Sequence, residues 1–117
     1  MNKPIIAVPL GDAAGIGPEI VVKSFSSPQL QDSHLIVVGN KGIINQACKI
    51  CHADVKVHLI ENVSEAVFEP KVINLLNIDN IDMSKFQFGK VSAMCGEAAF
   101  SYISKSIELA MSKQVDA

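Results

Sequence analysis

The chain has 117 residues, which is enough for one domain and too few for two ordinary ones. Apolar residues make up 49% and charged residues 19%, and these proportions exclude a disordered, collagen-like or highly charged tail protein. A formal net charge of −2, together with one Tyr, five Phe and no Trp, argues against a nucleic-acid-binding protein.

The sequence also indicates a compartment. No apolar run approaches the ~20 residues that a membrane-spanning helix needs. The first residues, Met1 to Pro4, lead directly into a strand-like run rather than into a signal peptide. Three cysteines are an odd number, so we expect no disulfide framework. These features predict a cytoplasmic protein without a membrane or nucleic-acid partner.

The first predicted elements surround a glycine-rich turn. Residues 5–10 form a continuous apolar run typical of a buried strand, and the turn follows at 11–17. Pro18 suits the first position of a short helix, with an acidic residue in its first turn. Residues 26–28 are expected to end that helix.

The rest of the chain continues the alternation of strands and helices. In chain order we predict a strand at 35–38, a helix at 43–49, a strand at 55–60, a helical turn at 64–67, a strand at 72–76, a loop with an extended piece at 85–88, and a long helix at 92–112. Continuous apolar strands that alternate with helices indicate a three-layer α/β/α fold with a mainly parallel sheet. We expect residues 1–117 to be a single α/β unit and the amino-terminal portion of a larger subunit, since another strand should follow the long helix.

The long helix has an amphipathic pattern. Its predicted buried stripe consists of Ala99, Tyr102, Ile103, Ile107, Ala110 and Met111, and its predicted outer face of Glu97, Ser101, Ser104, Lys105 and Glu108. Ser92 is a candidate helix cap. Gly96 costs a helix about 1 kcal/mol relative to Ala, so we expect close packing there against a strand or a partner subunit.

The glycine-rich turn is the candidate ligand site, because open α/β sheets bind ligands beyond the ends of their strands. It matches neither the dinucleotide fingerprint nor the phosphate-binding P-loop. Two carboxylates beside the helix start would oppose a bare pyrophosphate, so the turn suits hydroxyls, a carboxamide or a cation-bridged group better. The candidate binding residues are Asp12, Gly15, Ile16, Gly17 and Glu19. A tight turn with no ligand remains the alternative.

Two segments carry a family resemblance. The first runs from Pro4 to Val8 and continues as Gly11-Asp12-x-Ala14-Gly15-Ile16-Gly17-Pro18-Glu19-Ile20, and the second is Gly89-Lys90-x-Ser92-Ala93-x-x-Gly96-x-Ala98-Ala99. They resemble the 4-hydroxythreonine-4-phosphate dehydrogenase family of pyridoxal phosphate biosynthesis, which includes threonate-phosphate dehydrogenases. Residues 37–40, 102–103 and 115–117 agree with the same family.

The resemblance implies a fold like that of isocitrate and isopropylmalate dehydrogenases, incomplete at its carboxyl-terminal end. It implies a homodimer that oxidises and decarboxylates a phosphorylated hydroxy acid such as 4-phosphohydroxy-L-threonine, with NAD or NADP and a divalent metal (Zn, Mg or Co). The family's metal ligands and catalytic residues correspond to positions beyond Ala117. We therefore predict cofactor contacts at the turn, no catalytic or metal-binding residue in this chain, and no turnover by the chain alone.

Two residues depart from the family pattern. Pro9 stands where the family usually has Thr or Ser, and Ala13 stands where it usually has Pro. Both departures favour a paralogue over the vitamin-pathway enzyme. The alternative function is a non-catalytic α/β module that binds a small ligand or mediates oligomerisation.

The cysteines and histidines allow further hypotheses. Cys48, Cys51 and His52 match the C-x-x-C-H pattern of haem attachment, and a zinc site that adds His58 or Cys95 is conceivable. A redox pair is a third possibility. We favour ordinary helix-end cysteines in a reducing compartment, and surface or partly buried positions for the three histidines, His34, His52 and His58.

Overall fold

The computed structural model describes residues 4–10, 15, 17–25, 34–69, 71–78, 81, 83–84 and 93–117, without the side chain of Phe25. The strands are β1 (Ile5–Pro9), β2 (His34–Gly39), β3 (Lys56–Ile60) and β4 (Val72–Asn77), and the helices are α1 (Gly17–Phe25), α2 (Lys41–Cys51) and α3 (Ala93–Met111), with a 3₁₀ turn at Val63–Glu65. The predicted strands and helices in these ranges are confirmed, with bounds that shift by a few residues. The extended piece at 85–88 and the candidate cap Ser92 lie outside the described residues.

The four described strands form one parallel sheet in the order β1-β2-β4-β3. The inner strands, β2 and β4, are buried over most of their length. Parallel strands that are covered on both faces show continuous apolar runs, which is why these two segments lack alternation. The α/β fold class predicted from the sequence is confirmed.

The outer side of β1 is also hydrogen-bonded. The Asp116 N–H donates to the Ile5 carbonyl at 2.7 Å, and the Ala7 N–H donates to the Ala117 carbonyl at 2.7 Å. The Ala117 N–H also lies 3.4 Å from the Ile5 carbonyl, which completes the donor and acceptor pattern of a parallel strand pair. The Asp116 carboxylate accepts from the Ile5 N–H at 2.7 Å. β1 is therefore paired on both sides.

The helices cover the two faces of the sheet. α1 and α2 pack against each other, whereas α3 contacts β1 and β2. The connection from β1 through α1 to β2 runs in one direction along the sheet, and the connection from β4 through α3 to Asp116 runs in the other. Because parallel crossovers are right-handed, α1 and α3 lie on opposite faces. This arrangement is the predicted three-layer fold.

The predicted buried stripe of α3 is wrong in part. The buried residues are Cys95, Ala98, Tyr102 and Leu109, whereas Ile103, Ile107 and Met111 are 46%, 58% and 79% exposed. Of the predicted stripe, Tyr102 is buried and Ala99 and Ala110 are half-buried. The error arises because α3 has apolar residues on two faces, and periodicity alone does not say which face meets the sheet.

Asn74 joins β4 to the segment that precedes it. This buried side chain accepts a hydrogen bond from the Val67 N–H at 2.9 Å and donates one to the Val67 carbonyl at 2.9 Å. Both polar atoms of the amide are thereby satisfied, and the segment after β3 is held against the sheet.

We expect Asn74→Ala to lower the free energy of unfolding by about 1–3 kcal/mol, because it leaves two backbone groups of Val67 without their partner. Asn45→Ala, at an exposed position of α2, is the matched control and should change stability by less than about 0.5 kcal/mol. Urea unfolding of both variants measures the difference. Equal stabilities would contradict the assigned role of Asn74.

The single tyrosine gives a second test of packing. Burial, and then the neighbouring Cys95, raises the pKa of Tyr102 to about 12 from 10.0. The unfolded chain loses the phenolic proton first, so this group's contribution to stability is present below pH 10.0 and is lost as the pH rises towards about 12.

We therefore expect the tyrosinate absorbance of the native chain to titrate well above that of the urea-unfolded chain. Tyr102→Phe should remove the part of the alkaline loss of stability that comes from ionisation of this phenol. A native titration that coincides with the unfolded one would show that Tyr102 is accessible to water.

Candidate functional site

The candidate site begins where β1 ends. Leu10 is buried and donates its N–H to the Val38 carbonyl at 2.9 Å, so the chain is still held to β2 as it enters the turn. Gly15 is exposed in a bend, Gly17 is the first residue of α1, and Glu19 lies half-buried in its first turn. The predicted site residues Asp12 and Ile16 lie outside the described residues.

Gly17 allows α1 to start close to the end of β1. A Cβ atom at Gly17 would lie 2.8 Å from the Leu10 carbonyl oxygen, a separation that real Cβ atoms essentially never show. The next residue, Pro18, is buried. Glycine at position 17 thus has a packing reason, and its predicted role in ligand binding stays a prediction.

The start of α2, at the end of the neighbouring strand β2, is already occupied by side chains. Buried Asn40 accepts from the Gly42 N–H at 2.9 Å and the Ile43 N–H at 3.4 Å. Asn77, at the end of β4, accepts from the Lys41 N–H at 2.9 Å. Sequence reasoning missed both roles, although an Asn directly before a helix is a signal for an N-terminal cap. The first-turn amides of α2 that these contacts occupy are unavailable to a ligand.

The turn lies at a change of direction in the sheet. One neighbour of β1 is β2, reached through α1, and the other is Asp116–Ala117, reached through α3 on the opposite face. In open α/β sheets, ligands bind beyond the carboxyl ends of the strands at such a switch point. The geometry therefore favours the end of β1, where the glycine turn begins, as the binding crevice.

Pro9 fits this position. Pro4 and Leu10 form backbone hydrogen bonds with β2, whereas Ile5 and Ala7 form theirs with Asp116–Ala117, so alternation turns Pro9 towards the outer side. Pro9 has no N–H, and it cannot extend the outer pairing at its own position. Proline in place of Thr or Ser thus leaves the β1–β2 pairing intact. It removes the backbone N–H donor at position 9 on the side of β1 that faces away from β2.

The cysteine motif has an ordinary structural setting. Cys48 and Cys51 are half-buried in α2, and His52 ends the helix in a left-handed conformation with φ 51°. Burial, and then the neighbouring Cys51, raises the pKa of the Cys48 thiol above its ordinary value. A raised pKa keeps the thiol protonated and unreactive, as expected for a cysteine without a redox or metal role.

The described residues do not fit a metal ion. Within the described part of the chain, no group of three or more His, Cys, Asp or Glu side chains could hold one. His34 stacks on Phe68 with ring centroids 4.0 Å apart, and His58 Nε2 lies 3.0 Å from the Glu65 carbonyl oxygen. The hypothetical zinc site is therefore absent from these residues. None of the helices in the described ranges has the length and apolar character to span a membrane.

Comparison with known proteins identifies the family. The fold is an α/β unit of the dehydrogenase type, and the family model described as "Pyridoxal phosphate biosynthetic protein PdxA" matches residues 31–117. The chain belongs to this family. The resemblance seen in the sequence is confirmed.

Several curated relatives carry the same name. A protein of Fusobacterium nucleatum with the provisional name D-threonate 4-phosphate dehydrogenase is 47% identical over 113 residues, which are 96% of this chain and 34% of that protein. A Clostridium botulinum protein with the same provisional name is 40% identical over 117 residues, 99% of this chain and 35% of its own length. The chain thus spans about a third of the curated relatives it matches.

Solved structures of dehydrogenases have the same fold as this chain over the part that it covers. The 4-hydroxythreonine-4-phosphate dehydrogenase of Burkholderia phymatum matches with a TM-score of 0.93 and 34% identity, over 98% of this chain and 35% of that one. The enzyme of the same name from Klebsiella pneumoniae gives a TM-score of 0.90 and 32% identity, over 97% and 34% of the two chains. The arrangement of strands and helices is therefore that of the corresponding part of these dehydrogenases.

The contact between Gly17 and Leu10 gives a test of the turn. We expect Gly17→Ala to lower the free energy of unfolding by about 1–3 kcal/mol, because the new methyl group would overlap the Leu10 carbonyl oxygen. The same change at Gly96 is the control, since no described atom other than its chain neighbours and the backbone of its own helix lies within 4 Å of its Cβ position. Gly96→Ala should raise stability by about 0.5–1 kcal/mol. Urea unfolding compares them, and changes of the same sign would contradict the close approach at Gly17.

Proposed function

We propose that the chain forms one wall of the substrate and cofactor crevice of an NAD- or NADP-linked dehydrogenase that oxidises a phosphorylated hydroxy acid. The observation that carries this proposal is the match to dehydrogenase structures over nearly the whole chain, with a TM-score of 0.93 at 34% identity. The dehydrogenase names of the relatives support it.

We propose D-threonate 4-phosphate as the substrate, with 4-phosphohydroxy-L-threonine as the alternative. The relatives at 47% and 40% identity bear the threonate name, which supports the first. Pro9 supports it as well, because a position that is usually a hydroxyl residue in the vitamin-pathway enzyme has lost both its hydroxyl and its N–H.

In this proposal the turn binds ligand groups through backbone donors and acidic acceptors. The candidate residues remain Asp12, Gly15, Ile16, Gly17 and Glu19. The first-turn N–H groups of α1 would donate to acceptor oxygens, and Glu19 would accept from a hydroxyl or a carboxamide. The nicotinamide, when bound, accepts the hydride from the substrate carbinol carbon.

The remaining parts of the proposal follow from the family resemblance. A divalent metal (Zn, Mg or Co) and decarboxylation of the keto acid belong to it, and the described residues provide no set of ligands for that metal. We also propose a homodimer in the cytoplasm.

A chimera tests the function. Joining this chain, through Ala117, to the remaining two thirds of the Fusobacterium nucleatum relative should give an enzyme that forms NADH or NADPH from D-threonate 4-phosphate with a divalent metal. The 117-residue chain alone should form none, because it spans about a third of that relative. A folded but inactive chimera, or turnover by the chain alone, would contradict the proposal.

Variants of the chimera test the site. Asp12→Asn and Glu19→Gln should each reduce kcat/KM by about 10-fold or more, since a hydrogen bond to a charged group contributes about 1.5–3 kcal/mol. Lys23→Gln, at an exposed position of α1, is the control and should leave kcat/KM unchanged. If both acidic-residue variants were as active as the parent chimera, the turn would be rejected as the ligand site. The dehydrogenase assignment would remain in place.

A further inference from the structure

Lys41 lies at the edge of the sheet where the strands end. It is the first residue of α2, its side chain is exposed, and only Asn40 separates it from β2. β2 pairs with β1 up to Val38 and Pro9, so the two strands end side by side, about 4.8 Å apart. Lys41 therefore follows the strand that is adjacent to the candidate binding site at the end of β1.

Two glycines pack against Leu10, one at the start of α1 and one just before α2. A Cβ atom at Gly39 would lie 2.9 Å from Leu10 Cδ2, and one at Gly17 would lie 2.8 Å from the Leu10 carbonyl oxygen. α1 and α2 also pack against each other. Both helices thus begin beside Leu10, and a lysine side chain on its four-carbon stem can extend from the start of α2 towards the start of α1.

The end of β4 holds the backbone around Lys41 in place. The Lys41 N–H donates to the Asn77 side chain at 2.9 Å. Ile78 donates its N–H to the Gly39 carbonyl at 2.8 Å and accepts from Asn40 Nδ2 at 3.0 Å. None of these bonds uses the Lys41 ammonium group. A binding group on a rigid element loses less freedom when its ligand binds, so this position suits recognition.

Among the described residues, Lys41 is the one lysine at this edge of the sheet. The chain has ten lysines and no arginine. The other lysines in the described ranges lie at the opposite edge or in the middle of α3, and they are Lys23, Lys49, Lys56, Lys71, Lys105 and Lys113. The ion pairs in these ranges are Lys71–Asp54 and Lys105–Glu108, so neither includes Lys41.

The proposed substrate needs a cation at this edge. Its phosphate is a phosphomonoester, which carries about −1.5 to −2 charges at pH 7. Glu19, half-buried in the first turn of α1, would repel such a group. A lysine ammonium group is a compact positive charge that binds phosphate, and at the start of α2 it would offset this repulsion.

NADP carries a phosphomonoester as well, on the 2′ position of its ribose, whereas NAD has a hydroxyl there. In α/β units that bind dinucleotides, an acidic residue about 20 residues after the glycine turn binds the 2′-hydroxyl of NAD, and a cationic residue nearby accommodates the 2′-phosphate of NADP. At a comparable distance along the chain from Gly17, this sequence has Asn40 and Lys41. The Asn40 side chain is used in capping α2, so Lys41 is the residue that remains for the ligand.

We propose that the Lys41 ammonium group binds a phosphomonoester of a ligand held between the end of β1 and the start of α1, either the 4-phosphate of the substrate or the 2′-phosphate of NADP. This inference rests on the proposed function and adds to it a binding residue outside the glycine turn. Lys41 supplies charge for binding and takes no part in hydride transfer.

Calorimetric binding to the chimera, with a divalent metal present, tests the inference without turnover. Lys41→Gln removes the charge and keeps the backbone N–H that bonds to Asn77. We expect it to weaken the binding of NADP or of D-threonate 4-phosphate at least 10-fold, and the affected ligand identifies the source of the phosphate. NAD and unphosphorylated D-threonate, which lack the phosphomonoester, should bind equally to the variant and to the parent chimera.

Two further variants serve as controls. Lys49→Gln removes the same charge from an exposed position at the other end of α2 and should leave all four affinities unchanged. Lys41→Arg keeps the charge and should retain most of the affinity. Raising NaCl from about 0.05 to 0.3 M should weaken phosphomonoester binding more in the parent chimera than in Lys41→Gln, because salt screens an exposed charge.

Three results would overturn the inference. Equal affinities of the parent chimera and Lys41→Gln for all four ligands would place Lys41 outside the site. An equal loss for NAD and NADP would place Lys41 on the pyrophosphate that both share. An equal loss in Lys49→Gln would show an effect of net charge alone. In these cases the parent chimera still binds its ligands and the proposed function stands, whereas a folded parent chimera that binds none of them would contradict the proposed function itself.

Discussion

The backbone pairing on both sides of β1 is the constraint on which the rest of the structure depends. β2 bonds one side, and Asp116–Ala117 bond the other at 2.7 Å through Ile5 and Ala7. Because both neighbours are parallel and are reached in opposite directions, their helices must lie on opposite faces. The same constraint makes the end of β1 the place where the two crossovers diverge. The position of the candidate site thus follows from chain connectivity, before any side chain is considered.

Local patterns predicted most of the elements, but not the order of the strands. Apolar runs such as Ile36 to Val38 mark buried strands wherever they lie, and Pro18 marks the start of α1. The insertion of β4 between β2 and β3 is a long-range pairing that periodicity does not encode. Asn74 shows why local patterns are insufficient. It is a polar residue in an apolar strand, and its burial is explained only by its hydrogen bonds with the backbone of Val67, seven residues earlier.

The candidate site was predictable in position more than in detail. Three glycines between a strand and a helix indicate a place where the backbone closely approaches a ligand or another part of the chain. At Gly17 the group that is approached is the Leu10 carbonyl. A glycine that permits packing and one that admits a ligand look the same in a sequence. The sequence analysis did not predict the roles of Asn40 and Asn77. Their side chains accept hydrogen bonds from the first amides of α2, so the start of α1 remains the candidate for ligand binding.

α3 connects the inner strands to the outer side of β1. Its inner face holds it on β1 and β2, and the residues after it bring Asp116–Ala117 to the outer side of β1. Its outer face carries exposed apolar side chains, among them Phe100, Ile107 and Met111. Because α3 is the element that brings Asp116–Ala117 beside Ile5 and Ala7, its packing on β1 and β2 fixes what lies along the outer side of β1.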